Sequence, residues 1–126
     1  MPARKFEAAV RHVQGGNGPS GLAIIDLHGE IDLSAADALN AAYAQASSQN
    51  PAAALLNFDD VDYINSTGIA LIVGLLGKAR RADLRLMVCG LSEHYMEIFR
   101  ITRLAEFMSI FPDEASALAG VAMPTA

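Results

Sequence analysis

The feature that most constrains this chain is an alternation of two hydrophobic periods. Leu22–Ile31 (LAIIDLHGEI) is rich in strong β-formers and predicts a strand, while Ala52–Phe58 (AAALLNF) is a short continuous apolar run of the kind covered on both faces of a sheet. Leu84–Cys89 predicts a further buried strand. Between them the period changes to that of a helix. Ser34 is placed to open a helix, with Asp37 three residues later as a box-like cap, and Leu39, Ala42, Tyr43 and Ala46 then recur at i, i+3, i+4 and i+7. Asn50-Pro51 stops it. A second helix is expected from about Thr67 to Ala82, with Ile69, Ile72, Val73 and Leu76 on the sheet-facing side and Leu71, Leu75 and Lys78 on another. Ser92 caps a third helix ending near Arg103, and Phe107–Phe111 makes a last strand. Pro112 then sits at a first helical position, with Asp113 and Glu114 in the opening turn.

Phe6–Val13 reads as a first strand joined to Leu22–Ile31 through the turn-forming Gln14–Gly21 (QGGNGPSG). That segment lacks the Gly-Lys-Ser/Thr ending of a phosphate loop and leads into a strand, so it is read as a hairpin connection. The order strand–strand–helix–strand–helix–strand–helix–strand–helix implies an α/β fold: a mixed, mostly parallel five-stranded sheet with about four helices. At 126 residues the chain is expected to be one domain, with its core at about 6–118.

Charge is unevenly distributed. No Lys or Arg occurs from His12 to Gly77, a stretch carrying Asp26, Glu30, Asp32, Asp37, Asp59, Asp60 and Asp62. It therefore carries −7, against +2 for the remainder, a balance that argues against nucleic acid as a partner. The single cysteine, Cys89, lies in an apolar strand and is expected to be a buried core residue, without a disulfide or cysteine-based metal site. Met1–Val10 has no apolar run of the signal-peptide kind, and Ile69–Leu76 is too short to span a bilayer, so a cytoplasmic location without membrane insertion is expected.

In parallel α/β units the loops after strand C-termini gather at one edge, where sites concentrate. Here they would be Gly29-Glu30-Ile31-Asp32 and Asp59–Gly68 (DDVDYINSTG), both acidic. Asp59, Asp60 and Asp62 cannot all face one point on an extended chain, and no metal or other cofactor is expected. Ser66 and Thr67 stand at the start of the second helix. One hydroxyl is expected to cap it, leaving the other beside the positive end of the helix dipole as a nucleophile or phosphoacceptor. Asn65-Ser66-Thr67-Gly68 is not a nucleophile elbow, and the histidines His12, His28 and His94 are the available bases, so hydrolase chemistry is not expected.

Together, Gly29-Glu30-Ile31-Asp32, a buried strand and Asp62-Tyr63-Ile64-Asn65-Ser66-Thr67-Gly68-Ile69 resemble a STAS domain, and more narrowly a bacterial anti-sigma factor antagonist, over roughly residues 6–118. The resemblance implies binding to an anti-sigma factor that is also a serine kinase, release of a sigma factor, phosphorylation at Ser66, and reversal by a phosphatase. The chain would be a kinase substrate and not an enzyme, as a monomer or weak dimer. Many members carry Asp where this chain has Asn65. The partner-binding set expected is Glu30, Asp32, Asp60, Asp62, Asn65, Thr67, Gly68, Leu71 and Leu75. STAS domains also serve as accessory subunits of lipid-transport ABC systems, and docking on a transporter ATPase without a phosphorylation cycle is the alternative job.

Overall fold

The computed structural model describes residues 4–13 and 21–122, with the side chains of residues 121 and 122 excepted. Five strands form one sheet in the order β1-β2-β3-β4-β5: β1 Glu7–Val13, β2 Leu22–Ile31, β3 Ala53–Ile64, β4 Arg85–Cys89 and β5 Ser109–Phe111. β1 runs antiparallel to β2, and every later pairing is parallel. Val13 stands opposite Leu22, so Gln14–Gly21 joins neighbouring strand ends, although residues 14–20 of that connection lie outside the described residues. The helices are α1 Ala36–Ser47, α2 Ser66–Arg81, α3 Glu93–Ile101 and α4 Glu114–Ala122.

The period of two along the central strands sorts their side chains into two cores. Ala23, Ile25 and Leu27 of β2, with Ala54, Leu56 and Phe58 of β3, meet Leu39 and Tyr43 of α1, Ile72 and Leu75 of α2, and Phe99 of α3. Their neighbours Leu22, Ile24, Ala53, Leu55, Met87 and Cys89 pack on the other face with Ala117 of α4. Each fully buried Leu or Ile contributes roughly 1.5–3 kcal/mol from transfer out of water.

Four local expectations are corrected. The first helix is entered through a 3-10 turn, Leu33–Ala35, whose cap is Asp32; its carboxylate accepts from the Ser34 N–H at 2.9 Å, displacing Ser34 from that role. β3 does not end at Phe58 but continues through the acidic residues to Ile64, because β2 stays paired with it as far as Ile31. At the last helix Asp113 is the cap, accepting from the Ser116 N–H at 2.8 Å, so Pro112 precedes the helix. In α2 the buried stripe is Gly68, Ile72, Leu75, Leu76 and Ala79, and Val73 is 46% exposed. Leu75 at 1% exposure belongs to the core, and half-buried Leu71 packs against it, so neither is a free apolar patch. The cause is that the helix docks along the line through Gly68, one residue away from the stripe centred on Ile69.

Candidate functional site

The C-terminal ends of β2 and β3 lie side by side, with Ile31 opposite Ile64. The chain leaves β3 through Asn65, whose N–H donates to the Ile31 carbonyl at 3.2 Å. Asn65 keeps an extended backbone, and its side-chain oxygen accepts from the Gly68 N–H at 2.8 Å. The helix cap is therefore Asn65, not Ser66 or Thr67, which both stand exposed in the first turn. A Cβ on Gly68 would lie 2.1 Å from the Ile31 carbonyl oxygen and 2.9 Å from the Ile64 side chain, so a hydrogen at this position is what lets α2 sit against the end of β2.

A third restraint comes from α3. The Ile64 N–H donates to the Tyr95 hydroxyl at 2.8 Å, and that hydroxyl is 3.4 Å from the Ile64 carbonyl. Ser92, the α3 cap, accepts from the Tyr95 N–H at 3.2 Å and so fixes the base of the clamp. Tyr95 was not found from the sequence. A tyrosine one turn into an amphipathic helix carries no sign of a distant backbone partner.

Ser66 thus occupies a strand-to-helix junction held by a backbone carbonyl, a capping amide and a phenol. Two helical turns further on, Val73 falls on nearly the same side of α2 as Ser66, at seven residues and 100° per residue. Val73, Leu33, which is 70% exposed just after Asp32, and Tyr63 near the end of β3 are exposed apolar or aromatic side chains of this region. Val73 takes the place expected for Leu75.

The carboxylates of the region are less naked than their sequence suggests. Arg4 forms a fork onto two of them: its Nε donates to Asp62 at 2.7 Å, and one terminal nitrogen donates to Asp60 at 3.0 Å and to Asp62 at 2.9 Å. His28 Nδ1 is 2.7 Å from the other Asp60 oxygen. Hydrogen bonds from Arg4, then from His28, hold the Asp60 carboxyl down at about 2, and Arg4 lowers Asp62 as well. Asp26 is likewise lowered, chiefly by Arg11, which also binds Glu114 of α4 at 2.6 Å. Asp32 is engaged in its cap. Of the expected acidic rim, Asp60 and Asp62 come together on one guanidinium, whereas Glu30 and Asp32 lie along the β2 end and are half-buried. Cys89 is buried, and desolvation, ahead of nearby carboxylates, pushes its thiol up to about 12, as suits a core residue.

Among the described residues no helix is long and apolar enough to cross a membrane. Residues 16–117 match the model of the STAS domain family. A Bordetella bronchiseptica protein, BtrV, named for an anti-sigma factor antagonist role, is 29% identical over 92 residues, covering 73% of this chain and 77% of its own length. An anti-sigma factor antagonist of Mycobacterium paratuberculosis shares the fold with a TM-score of 0.73 at 20% identity, over 93% of this chain and 94% of that one. The Bacillus cell fate determinant SpoIIAA, solved in its phosphorylated form, superposes with a TM-score of 0.63 at 21% identity, over 90% and 99% of the two chains. A sulfate transporter family protein of Wolinella succinogenes does so with a TM-score of 0.70 at 18% identity, over 79% and 84%. The strand order, the docked glycine and the family match agree: the chain belongs to the STAS domain family.

Proposed function

We propose that this chain is an anti-sigma factor antagonist that works by partner switching. When Ser66 is unmodified it binds an anti-sigma factor serine kinase and frees a sigma factor; phosphorylation of Ser66 by that kinase ends the complex, and a phosphatase restores it. The observation that carries this reading is the cap: because Asn65 satisfies the Gly68 N–H, the Ser66 hydroxyl is left exposed at the positive end of α2. Asn65 in place of a carboxylate keeps the acceptor oxygen the cap needs. The named relatives, and the phosphorylated SpoIIAA with the same fold, support the same role.

The partner surface of this proposal is Ser66, Thr67 and the Asn65–Gly68 turn, flanked by Glu30, Asp32 and the Arg4-bound Asp60 and Asp62, with Leu33 and Val73 as apolar contacts. A phosphate adds about −1.5 to −2 charges. At a helix N-terminus it is favourable to the fold by roughly 0.3–1 kcal/mol, so its cost falls on the interface. A unit charge about 6 Å from an interfacial carboxylate, at an effective dielectric near 20, feels about 3 kcal/mol of repulsion, roughly a hundredfold in affinity. The chain acts as substrate, not as enzyme.

Incubation with the cognate kinase and Mg-ATP, followed by mass spectrometry, tests the acceptor. Phosphate at Ser66 is the expected result; phosphate elsewhere, or none, defeats the switch. Co-purification with a transporter ATPase and no kinase would instead assign the chain to a transport complex.

A further inference from the structure

The opposite end of the molecule carries a second surface that the reading above does not use. α2 is 16 residues long and so carries the chain roughly 24 Å from Ser66 to the N-terminal ends of the parallel strands. There, Lys78, Arg80, Arg81 and Arg85 fall within eight residues. Among the described residues none of the four meets a carboxylate at ion-pair distance, whereas Arg4, Arg11, Arg100 and Arg103 all do. Lys78 donates to Asn40 at 2.8 Å, and Arg85 donates to Ser109 at 3.2 Å. Arg80 lies over the ring of Phe107, 5.1 Å from its centroid.

Basic residues in the last turn complement a helix dipole, which accounts for Lys78, Arg80 and Arg81 as a class. It does not account for Arg85, which belongs to β4, nor for Phe107, which is 52% exposed beside it. Between them is an open hollow of about 290 Å³ lined by Arg80, Leu84, Arg85, Phe107 and Met108. A second hollow of about 360 Å³ shares Arg80, Leu84 and Arg85. The carboxylates bordering these hollows are Glu106, which faces Arg103 at 3.6 Å, and Asp83. The surface is thus an apolar floor edged by the Arg80 and Arg85 guanidinium groups, neither of them within ion-pair distance of a carboxylate among the described residues, with Lys78 and Arg81 close by in the chain.

We propose that this hollow is a docking surface for an acidic peptide segment of a partner protein, one that seats an apolar side chain against Leu84, Phe107 and Met108 and places carboxylates on Arg80 and Arg85. The argument is charge complementarity. Guanidinium groups bind carboxylates as planar forks, and an aromatic ring already bearing one of them offers stacking as well as apolar contact. Because the hollow is far from Ser66, the proposal stands or falls independently of the phosphorylation switch.

Two labelled peptides test it on the full chain by fluorescence anisotropy and amide chemical shifts: Glu-Glu-Leu-Glu-Glu-Leu-Glu-Glu and octaglutamate, in about 0.1 M salt, where screening reaches about 10 Å. The leucine peptide is expected to bind about tenfold tighter than octaglutamate and to shift the Leu84, Arg85, Phe107 and Met108 amides while leaving Ser66 unmoved. R80A/R85A should weaken it by about tenfold or more, and Phe107→Ala should abolish the preference for leucine, each with an unchanged circular dichroism spectrum. Absence of binding, equal binding of the two peptides, shifts located elsewhere, or tighter binding of a single-stranded oligonucleotide at the hollow would each overturn the proposal.

Discussion

The two ends of α2 handle charge in opposite ways. At the Ser66 end, acidic residues are numerous but several are already engaged: Asp60 and Asp62 on Arg4, and Asp32 in a cap. At the Arg81 end, none of Lys78, Arg80, Arg81 and Arg85 is within ion-pair distance of a carboxylate among the described residues. The acidic end is also the more tightly built, with Gly68, Asn65 and Tyr95 each fixing one atom of the junction. The difference teaches that local net charge is a poor guide to which surface is open for a partner. What matters is whether the charges are already paired.

The contrast can be broken by substitution, and the largest effects should come from the junction. Gly68→Ala forces a methyl into the Ile31 carbonyl and is expected to cost about 3 kcal/mol in urea unfolding, because backbone has to move. Arg85→Ala, exposed at the other end, should change stability by no more than about 0.5 kcal/mol in the same assay. A comparable loss from both would erase the distinction between a built end and an open one.

Tyr95→Phe leaves the Ile64 N–H without its partner and should cost about 1–3 kcal/mol. It should also speed hydrogen exchange at Ile64 and Asn65 relative to β4. Asn65→Ala removes the cap, for about 1 kcal/mol, and Asn65→Asp should restore it and gain from the helix dipole. If Asn65→Ala is neutral, the cap is not what frees Ser66.

The smallest effect concerns Arg4. Its contacts hold the folded Asp60 at about 2, below the ordinary 3.8. A depressed folded value contributes stability above the unfolded pKa, and that contribution fades as the pH falls from about 4 towards 2. Both partners are half exposed, so the stabilisation is slight. Arg4→Ala should move the Asp60 titration, followed by carboxyl-carbon NMR, back up towards its ordinary value while the melting temperature scarcely changes. An unmoved titration would show that the fork does not persist in solution.

Much of the fold was legible because its signals are local. The β2 limits follow from its own β-formers, and the α1 stripe Leu39, Ala42, Tyr43 and Ala46 is buried as its spacing predicts. The extension of β3 past Phe58 was not legible, since Asp59, Asp60 and Asp62 disfavour a strand and only pairing with β2 holds them in one. The Val73–Leu75 exchange arose because an apolar helix offers several faces of similar hydrophobicity, and the close approach at Gly68 selects among them. At the junction, the position of Ser66 at the start of α2 and the close packing at Gly68 follow from the motif. The roles of Arg4, Tyr95 and Asn65 were not. Arg4 reaches Asp60 across 56 residues and Tyr95 reaches Ile64 across 31, separations at which composition carries no information.

The central claim is that a phosphate on Ser66 acts on an interface and not on the fold. Calorimetric titration of the cognate anti-sigma factor kinase with the unmodified chain and with the chain phosphorylated at Ser66 tests it most directly, with the melting temperature of both forms measured alongside. The account predicts roughly a hundredfold weaker binding for the phosphorylated chain and no loss of thermal stability. Equal affinities, or a loss of affinity accompanied by unfolding, would contradict it.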